Sequence, residues 1–150
     1  MKIEQQVVSL ELAKKLKELG VKQESYFHWG KSAFSGVYGI TSTDSRHLAK
    51  INEFHDEPGA SDYYDLISAF TVAELGEMLP EYINIPYKNG RKRAQDHWLL
   101  FRKGYVRYYA NAYCDSPHFS ANTEADARAK MLIYLIENKL IDIDILNKNV

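Results

Sequence analysis

Five alternating residues, Tyr105, Arg107, Tyr109, Asn111 and Tyr113, carry the most suggestive chemistry in this chain. Side chains two apart on a β-strand share a face. A strand over YVRYYANAYC therefore presents a row of phenols, a guanidinium and an amide. Val106, Tyr108, Ala110 and Ala112 take the opposite face and point to the core. Rings beside a guanidinium supply stacking, cation–π contacts and hydrogen bonds to phosphate, which suits nucleotides, single strands or protein partners. Upstream, Arg91, Lys92 and Arg93, preceded by Lys88, form the concentrated positive charge of the chain, with Arg102 and Lys103 in the next turn. The candidate ligand-binding set is Arg91, Lys92, Arg93, Tyr105, Arg107, Tyr109, Asn111 and Tyr113. The competing reading is that helices cover this face too and the rings are ordinary packing.

Other constellations carry less. No two of the histidines His28, His47, His55, His97 and His118 have the i, i+4 spacing of a helical metal site, and no HExxH pattern occurs. His55, Asp56 and Glu57 precede Pro58-Gly59 and read as a solvated loop rather than a divalent-ion site. Cys114, Asp115 and His118 are close in sequence, but a nucleophilic thiol needs an oriented base and an oxyanion site; a strand-end cysteine is the simpler reading. A lone cysteine also excludes an intrachain disulfide and a Cys-based zinc site. Phosphate-binding glycine loops and the GxSxG elbow are absent. No catalytic residue, metal ligand or cofactor is assigned, and the expected function is non-catalytic binding.

The elements that would position these residues follow from periodicity. SLELAKKLKELG reads as a helix, with Ser9 as N-cap, Gly20 as stop and Leu12, Leu16 and Leu19 on one stripe. SYFHW (25–29) and VYGITS (37–42) read as strands joined by a Gly/Ser loop. DSRHLAKINEF suggests a short helix and HDEPGASD a loop. In SAFTVAELGEMLP, Thr71 and Glu74 have capping-box spacing, Phe70 and Leu75 suit a hydrophobic staple, Gly76 permits close approach, and Pro80 ends the helix. YINIPYK, HWLLF and YVRYYANAYC read as a meander, with Pro86 suggesting an edge strand and Gly104 a positive-φ turn. TEADARAKMLIYLIEN is a second capped helix with Thr123 and Asp126 at box spacing. IDIDILNKNV alternates and reads as an edge strand or ordered tail. The expectation is one α+β domain over residues 1–150, with an antiparallel sheet of about four to five strands packed by three main helices.

Composition sets the outer limits. The chain has 150 residues, a net charge of −1 and 45% hydrophobic residues, ordinary for a soluble domain. The N-terminal stretch lacks a signal-peptide core, and no run approaches the ~20 apolar residues of a membrane span. A cytoplasmic protein without membrane contact is expected. The neutral balance ranks nucleic acid below a protein or small-molecule partner, because no global field attracts it.

Three pieces together, VVSLELAKKLKELGVKQES, ISAFTVAELGEMLP and NTEADARAKMLIYLIENKL, cover about a third of the chain. They resemble a group of small uncharacterised phage and prophage proteins of mobile elements, in which three such helices surround a variable antiparallel hairpin. The resemblance carries no activity. It implies an accessory protein that binds a host protein, or else a small molecule or nucleotide that it sequesters; homo-oligomer formation stays open. The chain departs from the group at Lys139, where its relatives have glycine after "EN", so Asn138 is expected to take the left-handed cap. It is also longer between Gly30 and Tyr64.

Overall fold

A computed structural model of the chain describes residues 2–32, 34–42, 63–85, 95–110 and 116–149. A 3-10 turn at Ile3–Gln5 leads into helix α1 (Leu10–Glu18) and strands β1 (Phe27–Ser32), β2 (Tyr38–Ser42) and β3 (Tyr63–Ser68). Helix α2 (Val72–Met78) follows, then β4 (Tyr82–Ile85), β5 (Gln95–Arg102), β6 (Tyr105–Tyr109) and β7 (His118–Ser120). Helices α3 (Glu124–Glu137) and α4 (Ile143–Asn149) close the order. The expected class, α+β with antiparallel pairing, is what forms. Its strands, however, divide between two sheets, ordered β2-β1-β3 and β4-β5-β6-β7.

The extra strands escape a periodicity reading for physical reasons. In β3 the alternation is broken by a bulge. Trp29 faces Ile67 and Lys31 faces Tyr64, so Asp65 and Leu66 share the single position opposite Gly30. Asp65 takes φ +52°, a conformation aspartate tolerates better than most residues. Its carboxylate accepts from the Tyr38 hydroxyl and lies 3.7 Å from Lys17 Nζ. The Tyr38 hydrogen bond, assisted by Lys17, Lys14 and Lys31, holds the Asp65 carboxyl below its ordinary value. Strand β7 has three residues, too few for any period to show. The helix and loop read between residues 44 and 62 lie outside the described residues.

The capping chemistry is mostly local and mostly as read. Helix α1 ends in a Schellman motif: Gly20 takes φ +87°, its N–H reaches Lys17 O at 3.0 Å and the Val21 N–H reaches Leu16 O at 3.1 Å. Helix α2 has a complete box. Thr71 accepts from the Glu74 N–H at 3.2 Å, and Glu74 accepts from the Thr71 N–H at 2.6 Å. Phe70 and Leu75 are both fully buried beneath it. Glu74 also accepts from the Tyr26 N–H at 3.1 Å and the Ser25 hydroxyl at 3.2 Å, tying the start of β1 to this helix.

Three caps differ from expectation, one of them because a distant group competes. Ser9 stands at the N-cap of α1, yet its hydroxyl makes no capping bond. Its backbone N–H donates instead to Asp126 Oδ1 at 2.8 Å. Asp126 is thereby diverted from its own box at α3, which keeps only the half in which Thr123 accepts from the Asp126 N–H at 3.1 Å. At the other end of α3, Asn138 stays at φ −91° and Lys139 takes φ +55°. The Lys139 N–H bonds to Ile136 O and the Leu140 N–H to Leu135 O, so the geometry requires the left-handed residue at 139. Left-handed strain at a lysine costs about 1–2 kcal/mol, partly offset by the greater unfolded freedom of glycine. Lys139→Gly is therefore expected to stabilise the protein by about 0.5–1 kcal/mol, read as a raised urea midpoint at unchanged slope.

The C-terminal alternation misleads: Ile143–Asn149 is a helix. Asp142 accepts from the Asp144 N–H at 2.8 Å and starts it, while Asn147 bridges Gly20 O and the Lys22 N–H, each at 2.9 Å. Gly76 does admit a close neighbour, the Arg128 side chain of α3; a Cβ there would stand 2.3 Å from Nη1. Arg128 donates to Val72 O at 3.0 Å and lies 3.8 Å from the Phe101 ring centre. Helix α3 contacts α1, α2, β6 and β7, and one cluster of buried residues runs from Val8, Leu16 and Ile67 through Leu75 to Val106, Tyr108 and Leu132.

His28 is buried in this structure. Burial lowers its pKa from the ordinary 6.5, against the smaller opposing effects of Glu74 and the Gln23 backbone. The unfolded imidazole takes up a proton as the pH falls below 6.5 while the folded one resists it, so stability rises with pH across that window. Its contribution is whole above the unfolded pKa and is lost as the pH falls toward the lowered folded value. Urea midpoints at about pH 7.5 and about pH 5.5 are expected to fall with acid in the wild type. The drop is expected to shrink in His28→Gln.

Candidate functional site

The outer face of the four-stranded sheet is assembled by one tight turn. β5 and β6 are joined by Lys103-Gly104, and Gly104 takes φ +66°. A Cβ at Gly104 would lie 2.8 Å from Ala121 O, whose own N–H donates to Gly104 O at 3.0 Å. A two-residue connection fixes the register of the hairpin. Arg102 pairs with Tyr105, Leu100 with Arg107 and Trp98 with Tyr109. β4 adds Tyr82 opposite Trp98 and Asn84 opposite Asp96. β7 adds His118 opposite Arg107 and Ser120 opposite Tyr105.

Alternation then sorts the side chains. Ile83, His97, Val106 and Tyr108 turn inward and are buried. Tyr82, Trp98 and Tyr109 turn outward in one row across three strands, 54%, 53% and 45% exposed. Tyr82 and Trp98 have ring centres 5.6 Å apart with planes tilted 48°. Arg107 Cζ stands 4.8 Å from the Tyr109 ring centre. Exposed Leu100 lies in the row with Arg107 and His118, and the next row holds Arg102, Tyr105 and Ser120. At the far end Asn84 Nδ2 donates to Asp96 Oδ1 at 3.3 Å.

The described part of the tyrosine row lies opposite the buried face of β6 and is open to different degrees along its length. Val106 and Tyr108 face the helices and are fully buried. Tyr109 is exposed, and Tyr105 and Arg107 are half-buried on the opposite face. Arg91, Lys92, Arg93, Asn111 and Tyr113 lie outside the described residues, as do Cys114 and Asp115. His118 is exposed, with Nδ1 3.3 Å from Ser116 O. Among the described residues, no three His, Cys, Asp or Glu side chains gather in metal-binding geometry. No helix among them is long and apolar enough to cross a membrane.

Tyr82, Trp98, Leu100, Arg102 and His118 belong to the face but were not in the candidate set. HWLLF is apolar on both faces, so hydrophobicity alone cannot say which of Trp98 and Leu99 points outward. The signal was the Lys103-Gly104 turn: once it is taken as two residues, Trp98 must pair with Tyr109 and share its face. Protein-family models, curated proteins and solved structures offer no match to this chain.

Proposed function

We propose that this chain is a non-catalytic binding module, an accessory protein of a mobile element, that works through the outer face of its four-stranded sheet. The observation that carries the reading is the row Tyr82–Trp98–Tyr109, about half exposed, with Arg107 against its end. Large rings left in water are costly unless a partner covers them, and Trp, Tyr and Arg are the residues that most often carry binding energy. The sequence points first to a host protein as the partner. The positive groups bordering the rings favour a ligand that brings both ring faces and negative charge.

Native mass spectrometry of protein purified from a bacterial host tests the binding face itself. The wild type is expected to retain a bound species, and Trp98→Ala/Arg107→Ala to retain at least about tenfold less at equal folded fraction. Equal retention by both proteins would move the binding surface elsewhere on the molecule.

A further inference from the structure

We infer that the ligand of this sheet face is a single strand of nucleic acid, with bases on Tyr82, Trp98 and Tyr109 and phosphates at Arg102, Lys103 and Arg107. The inference rests on the reading of the face as the binding surface, and it names the occupant. Three features select it. The rings stand in adjacent strands, about 4.8 Å apart per step, and form a platform instead of a pocket. Unpaired bases offer the matching surface, since every base has a π-face, and stacking on a sheet is a recurrent way to hold single strands.

The second feature is charge. Arg102 ends β5 and Lys103 lies in the turn that follows, while Arg107 stands mid-strand in β6 against Tyr109. None of them has a carboxylate partner among the described residues. The outward carboxylate of β5, Asp96, already accepts from Asn84 at the opposite end. An apolar protein anchor would cover the rings and add no counter-charge to the three cations, which have no carboxylate partner among the described residues, whereas a phosphodiester chain supplies it. The third feature is polarity across the platform. Asn84 and Asp96 place an amide and a carboxylate beyond the rings, where base edges carry donors and acceptors. A duplex fits none of this well, because its bases are already stacked on each other. The net charge of −1 confines the attraction to this patch and makes it sensitive to salt.

The test uses the full chain with fluorescein-labelled RNA and DNA decamers, their duplexes, and heparin as a polyanion without bases. Anisotropy is expected to show single strands bound, and duplex and heparin at least about tenfold more weakly. Three phosphate contacts predict a slope of log K against log salt of about −2, and Arg102→Gln is expected to reduce it by about 0.7. Trp98→Ala is expected to weaken binding by about 10- to 100-fold, with an unchanged thermal transition showing that the fold is intact. Trp98→Phe, which keeps a ring, is expected to recover most of the loss. Equal affinity for duplex or heparin, or an unaffected Trp98→Ala, overturns the inference. Failure of every strand to bind at about 1 mM does so as well. If strands fail while the mass spectrum still shows a species that Trp98→Ala/Arg107→Ala loses, the occupant is wrong and the binding face stands. If that species is also missing, both readings fall together.

Discussion

Tyr108→Ala is expected to destabilise the protein by about 3–5 kcal/mol, lowering its melting temperature on the order of 10 °C. Tyr108 is fully buried on the inner face of β6, and its hydroxyl donates to Pro80 O at 2.6 Å. Burial raises the phenol well above its ordinary pKa, so it remains a donor throughout the working pH range. Truncation removes a large packed ring and leaves the Pro80 carbonyl without this partner. Tyr108→Phe separates the two effects: it keeps the ring and is expected to cost about 1–2 kcal/mol. The Pro80 contact fastens β6 to the α2–β4 connection, and so sets Tyr82 beside Trp98. A Phe variant as stable as wild type would show that the hydroxyl contributes nothing and that packing alone holds the strand.

Gly104→Ala is the second large effect, expected at about 2–3 kcal/mol. Two penalties combine at this position. The backbone takes φ +66°, where a Cβ is strained, and that Cβ would stand 2.8 Å from the Ala121 carbonyl. The obstructing atom is backbone in the segment joining β7 to α3, so it cannot swing aside as a side-chain end would. Gly104→Asn tells the penalties apart, because asparagine tolerates positive φ yet still carries a Cβ. It is expected to retain more than half of the alanine cost in urea unfolding. Full recovery in the asparagine variant would mean that backbone strain alone matters. Because this turn sets the β5–β6 register, a relaxed turn should also change the emission of Trp98.

Much of the local architecture was legible because it is written in short-range chemistry. Thr71 and Glu74, three residues apart, close their box within one helical turn. Gly20 and Gly104 take the positive φ that their positions demand. The alternation along β6 separates Val106 and Tyr108 from Arg107 and Tyr109, as period two requires. Where a remote partner competes, the local reading loses. Asp126 leaves its own cap for the Ser9 N–H, 117 residues away in sequence; at Lys139, by contrast, local turn bonds alone move the left-handed residue one past Asn138.

By itself the sequence determined the α+β class, the extents of α1, α2 and α3 and the inward and outward residues of β6, because caps and periods depend on neighbours within a turn or two, whereas the alternation at Ile143–Asn149 hid a helix. Only the tertiary structure decided that the strands form two sheets, and that Tyr82 joins Trp98 and Tyr109 in one exposed row. Those outcomes depend on register between strands distant in the chain. Register is set by hydrogen bonding across the sheet, by the Asp65 bulge and by which face α3 covers, none of which a single strand carries in its own residues.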